Sequence, residues 1–166
     1  MVAVSESRRE EILRWLDEVK DPEVPVLSIR ELGVLRDVEV SPEAVVVVMT
    51  PTYSGCPAMH AMETEVLATL ARHGVPNARV KTVYSPAWTT DWMSDEAKAK
   101  LEAYGIAPPG RLESDDLVPL RRRAPVTCPY CHSVNTIMRS EFGSTACKAI
   151  LFCNACDQPF ELFKAI

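Results

Sequence analysis

An α+β fold, with a small mixed sheet packed by helices and a short metal-stapled ribbon after it, is what this sequence predicts. Three observations carry that reading. Helix-like and strand-like periodicities alternate through the first hundred residues in the order α-β-β-α-β-α. A linker-like composition follows, with Pro108-Pro109-Gly110, an acidic run at 113–116 and the basic run Arg121-Arg122-Arg123. Beyond it stand two C-x-x-C pairs, Cys128/Cys131 and Cys153/Cys156, with twenty-one residues between them. The expected domains are therefore 1–106 for the α+β part, 107–123 for the linker and 124–166 for the ribbon.

Residues 7–20 read as a helix. Ser7 and Glu10 fit a capping box, and Ile12, Trp15, Leu16 and Val19 share one face. Asp21-Pro22 stops it, because a residue before proline avoids the helical region. The next segment, DPEVPVLSIRELGVL, holds two prolines and Gly33 and reads as an extended loop, with Asp21 and Glu23 as loop carboxylates. Residues 34–40 and 44–50 read as strands joined by Ser41-Pro42-Glu43, an antiparallel hairpin. Four consecutive valines at 45–48 suit a strand covered on both faces, hence a central one.

The stretch TPTYSGCPAMH, residues 50–60, organises the rest. Gly55 permits a sharp turn and Pro57 suits the first helical position. Between them Cys56 faces unpaired N–H groups and the positive end of a helix dipole, which favours thiolate. The other reading of Cys56 is a small buried apolar residue. Residues 57–73 read as the second helix, with Met59, Met62, Val66 and Leu70 as a core stripe and Gly74 as its stop. His60 is either a base or second ligand beside Cys56, or an exposed helix histidine. Residues 77–84 read as the third strand. Trp88 and Trp92, with Asp91 between them, either build a partner site or seal a small core. Ser94 opens a short helix that Gly105 ends.

Two C-x-x-C turns each aim two thiolates at one point, and Cys128, Cys131, Cys153 and Cys156 have the spacing of a zinc ribbon. Four thiolates close a tetrahedral zinc site, which argues for a structural metal. About 43 residues cannot bury a sufficient core unaided, so metal binding is what makes the segment foldable. Cys147 is either an inert core thiol or an extra ligand that admits an iron–sulfur cluster in place of zinc. His132, directly after Cys131, is not expected to ligate.

Charge and composition exclude several classes. The net charge is −5, split into −8 over the first 120 residues and +3 over the remainder. Three arginines without a broad basic face make a poor nucleic-acid footprint. No run of eighteen apolar residues exists, so no membrane span is expected. The N-terminal residues lack a secretory pattern, and cysteines arranged in C-x-x-C pairs point to a reduced, cytoplasmic chain that binds metal. An enzyme built on Cys56 and His60 lacks a third residue to orient the base.

The run DPEVPVLSIRELGVL, the two strands and TPTYSGCPA together resemble the metal–sulfur cluster assembly factor family. The segments WTTDWMSDEAKAKLEAYGIAPP, CPYCHS and EFGSTACKA, with CNAC and PF after them, resemble one branch of it. That is the PaaD/PaaJ branch, whose members are encoded with bacterial phenylacetyl-CoA epoxidases. The resemblance covers about residues 10–163 and implies a role rather than a reaction: helping to mature the metal centres of the oxygenase system. It implies Cys56, Asp21, Glu23 and Thr52 as a site that transiently holds iron or an iron–sulfur cluster. It also implies Cys128, Cys131, Cys153 and Cys156 as ribbon ligands, with Cys147 as a further cysteine of the branch. The implied partners are the oxygenase components, above all the iron–sulfur flavin reductase, with monomer and homodimer both open. A non-catalytic subunit that bridges those components through the ribbon and the tryptophan loop is the alternative.

Overall fold

The computed structural model describes residues 2–110 and 125–165. The acidic and arginine runs of the expected linker lie outside the described residues. The chain divides into two compact units, Met1–Trp88 and Thr89–Ile166.

In the first unit, helix α1 (Val2–Leu16) precedes strands β1 (Leu35–Val40) and β2 (Val45–Met49). Helix α2 (Ala58–Arg72) and strand β3 (Arg79–Thr82) complete it. The sheet order is β1-β2-β3. β1 runs antiparallel to β2, and β2 runs parallel to β3, so the sheet is mixed. The valine strand is central, as its composition requires. Parallel pairing of β2 and β3 needs a crossover, and α2 supplies it. Ile12, Leu16 and Val19 from the first helical segment are buried, as are Met62, Val66 and Leu70 of α2.

α1 starts earlier than expected. Ser7 lies inside the helix and caps nothing, because nothing in residues 2–6 breaks a helix. The helix ends at Leu16 in i→i−3 turns, Asp17 N–H to Arg14 O, Glu18 N–H to Trp15 O and Val19 N–H to Leu16 O. The loop that follows is buried rather than merely extended. Val24, Leu27, Ile29 and Leu32 all enter the core, and Lys20 and Ser28 form an antiparallel bridge. Trp88 is buried and its Nε1 donates to Leu32 O at 3.0 Å, so it seals this core.

In the second unit, a single 3-10 turn (Thr90–Trp92) leads to helix α3 (Asp95–Ala103), capped by Ser94 Oγ accepting from Ala97 N–H at 3.1 Å. Strands β4 (Ile106–Ala107), β5 (Thr136–Ser140), β6 (Lys148–Cys153) and β7 (Gln158–Phe163) form a sheet of order β4-β7-β6-β5. β5, β6 and β7 are antiparallel, whereas β4 joins parallel to β7. This grouping differs from the expected boundary at 106/107. The segment 95–107 shares a unit with the ribbon because Ile106 pairs with Glu161, a contact fifty-five residues distant in sequence. Tyr130 also lies against Gly105: a Cβ there would sit 2.8 Å from the tyrosine hydroxyl. Among the described residues no helix is long and apolar enough to cross a membrane.

Candidate functional site

The β2–α2–β3 crossover puts Cys56 in the loop beyond the carboxyl end of a central strand, where open sheets with helical crossovers bind ligands. The loop is tightly wound. Cys56 N–H bonds Tyr53 O at 3.2 Å, and Gly55 adopts φ +85°, a conformation that a side chain would resist. α2 has no side-chain cap at its start. The Cys56 sulfur serves there instead, accepting from the Ala58 N–H, and the Thr52 hydroxyl also bonds it.

Two carboxylates act on the same sulfur. Asp21 is buried, and its Oδ1 accepts from the N–H groups of Glu23 and Val24 at 2.7 and 2.8 Å. That turn holds Asp21 and Glu23 near Cys56, where both act on the thiol electrostatically. Burial pushes the Cys56 thiol up, and the charges of Glu23 and Asp21 add to the rise. The Ala58 N–H and Thr52 hydroxyl oppose them and are outweighed. The helix start alone favours thiolate, but in the metal-free protein desolvation and negative charge exceed its pull and shift the thiol the other way. The fold brings Cys56, Asp21, Glu23 and Thr52 together. His60 is exposed, and the principal groups acting on Cys56 do not include it. The base or second-ligand reading of His60 therefore loses to the exposed histidine.

In the ribbon, the sulfurs of Cys128, Cys131, Cys153 and Cys156 all lie within 4.8 Å of one another. Cys128 and Cys156 sulfurs are 3.8 Å apart, and those of Cys131 and Cys153 are 3.5 Å apart. Zinc–sulfur bonds of about 2.3 Å set tetrahedral sulfur separations near ~3.8 Å, so the cluster fits zinc with little adjustment. Both C-x-x-C turns close alike, each with a left-handed residue after its second cysteine: His132 at φ 58° and Asp157 at φ 57°. His and Asp tolerate that conformation better than most side chains, which gives His132 a backbone reason to be there. Its ring lies 3.5 Å from Glu102 and is exposed. Without metal the thiols of Cys153 and Cys156 are driven apart. Burial and contacts with Cys131, Cys153 and Cys128 push Cys156 up to about 12. At Cys153 burial is outweighed by the N–H groups of Ala155 and Cys156 and by its sulfur neighbours, and the value falls to about 7.

Cys147 does not join this cluster. It precedes β6 and Cys153 ends it, so six residues of extended strand, about 20 Å, separate the two. Its sulfur instead meets Thr145 Oγ1 at 3.0 Å in a buried position. The extra-ligand reading of Cys147 is corrected on that distance.

Sequence reasoning passed over one residue of the Cys56 loop. Thr50 Oγ1 is buried with no hydrogen-bond partner among the described residues. A threonine at a strand end carries no signal in sequence, and only the packed structure shows the atom to be orphaned.

The chain matches two protein families in succession: the iron–sulfur cluster assembly protein family over residues 9–84 and the PaaD zinc beta ribbon domain over residues 113–164. A protein of Escherichia coli (strain K12), provisionally assigned as the D-type component of 1,2-phenylacetyl-CoA epoxidase, is 43% identical over 94% of this chain and 92% of its own length. The iron–sulfur protein maturation auxiliary factor YitW of Bacillus subtilis (strain 168) is 36% identical over 59% of this chain and 97% of its own. Among solved structures, a domain of unknown function, DUF59, from Bacillus anthracis is 29% identical with a TM-score of 0.57, covering 61% of this chain and 97% of that one.

Proposed function

Because this chain belongs to the PaaD family of 1,2-phenylacetyl-CoA epoxidase components, an iron–sulfur cluster assembly domain joined to a PaaD zinc ribbon, we propose that it is an accessory maturation subunit of such an epoxidase. In this reading Cys56 holds iron or a cluster transiently as cargo, with Asp21, Glu23 and Thr52 completing the site. The iron is delivered to the oxygenase components, the iron–sulfur flavin reductase first among them, in the cytoplasm. The ribbon cysteines Cys128, Cys131, Cys153 and Cys156 hold a structural zinc.

One observation carries the reading: two carboxylates, a hydroxyl and a helix N–H converge on a single thiol. Negative charge that resists forming a lone thiolate also attracts a cation. When iron enters, the sulfur gives up its proton to solvent and the cation takes the proton's place against Asp21 and Glu23. A purely structural cysteine has no use for two flanking carboxylates.

The test is anaerobic co-expression of the reductase and the di-iron subunit with wild-type protein or with Cys56→Ser. Iron bound per client falls in the variant if Cys56 carries cargo. Equal iron loading would sink the carrier role, and stable copurification that ignores Cys56 would point to a bridging subunit instead.

A further inference from the structure

The loop that carries Cys56 also buries a polar atom with nothing to bond. Thr50 is 1% exposed, and its Oγ1 has no partner among the described residues. Its backbone is engaged: the Thr50 N–H donates to Val34 O at 2.9 Å, one step beyond the Leu35–Met49 pair of the β1–β2 ladder. Thr50 also precedes Pro51, which holds it extended. Thr50 and Thr52 stand two residues apart on the segment that leads from β2 to Cys56, and both are buried. The Thr52 hydroxyl is already bonded to the Cys56 sulfur.

A hydroxyl withheld from water and left unpaired is destabilising, and folded proteins keep few of them. Valine fills about the same volume without that penalty, so the hydroxyl costs stability unless something beyond the described residues bonds it. The donors of the site, the Ala58 N–H and the Thr52 hydroxyl, are already spent on the Cys56 sulfur. Asp21, Glu23 and a metal-bound thiolate are all acceptors, whereas the non-protein ligands that iron carries, solvent-derived or sulfide, are themselves anionic acceptors. We infer that Thr50 Oγ1–H donates a hydrogen bond to such an anionic ligand atom on the iron cargo, making Thr50 a further binding residue of the Cys56 site. The inference rests on the reading of Cys56 as an iron carrier.

The experiment uses full-length, zinc-loaded protein with Thr50→Val, Thr50→Ser and Cys56→Ser variants. Each is titrated anaerobically with ferrous iron and separately unfolded with denaturant in the iron-free state. Thr50→Val is expected to weaken Cys56-dependent iron binding about tenfold, the worth of one hydrogen bond, while its iron-free unfolding midpoint stays level or rises. Thr50→Ser is expected to keep wild-type affinity. Thr50→Val binding iron within twofold of wild type would overturn the inference, leaving a buried water as the partner of Thr50. A lower iron-free midpoint for Thr50→Val would overturn it too, since the hydroxyl would then be bonded within the protein. Wild type and Cys56→Ser binding iron equally would instead overturn the carrier reading itself, and this inference with it.

Discussion

Glu161→Gln should destabilise the ribbon unit by about 2 kcal/mol, and the reason lies in its partner. Lys148 is buried, with its side chain 4% exposed, and its Nζ meets Glu161 Oε2 at 3.0 Å. Removing one member of a buried ion pair typically costs 3–5 kcal/mol, because the other charge stays buried after losing its counter-ion. The Glu161 side chain is 27% exposed, so water softens the loss to about 2 kcal/mol, below that range. Glutamine preserves shape and can still accept from Ser144 N–H, which bonds Glu161 Oε1 at 2.8 Å. Burial opposes ionisation of Glu161, but Ser144 and the Lys148 ammonium outweigh it and hold the carboxyl below the ordinary glutamate value. A lowered folded value means stability present above the unfolded value and lost as pH falls through the folded one. Acid sensitivity below about pH 4.5 should therefore shrink in the variant. The assay is hydrogen exchange of β6 and β7 amides in zinc-loaded protein, with the pair variant Lys148→Met/Glu161→Gln as a control expected to recover most of the loss. A single-variant cost under about 0.5 kcal/mol, or a pair cost equal to the two singles summed, would refute the reasoning.

Two further outcomes follow from the sites. Stripping zinc with a chelator, or Cys153→Ser, should abolish amide protection in β5–β7 while the β1–β2–β3 sheet keeps its own. Protection that survives in the metal-free ribbon would show a core sufficient without metal. Asp21→Asn keeps an oxygen to accept from Glu23 and Val24 N–H but removes a charge that raises the Cys56 thiol. Its alkylation–pH profile should shift to lower pH, and an unmoved profile would mean Asp21 does not act on Cys56.

Much of the fold is legible because it is local. Four valines in a row mark a central strand, Ser94 and Gly105 bracket α3, and Gly74 stops α2, each through chemistry within one or two turns. The clustering of the four ribbon cysteines is legible for the same reason, since a C-x-x-C turn is a self-contained geometry. The start of α1 is not, because a capping signal at Ser7 competes with helix-compatible residues before it. Nor is the company that 95–107 keeps, which depends on Ile106 finding Glu161.

The Cys56 site divides along the same line. From sequence alone came a cysteine after a glycine, at the end of a strand and the start of a helix, and a motif resemblance that linked it to Asp21, Glu23 and Thr52. Its protonation lay beyond reach, because the pull of a helix start can be read from local pattern while burial and two carboxylates thirty-odd residues away cannot. The orphaned hydroxyl of Thr50 and the distance of Cys147 from the other sulfurs are likewise decided only in the packed chain. Spacing along a sequence sets which groups share a turn; desolvation, charge and separation in space exist only once distant segments have met.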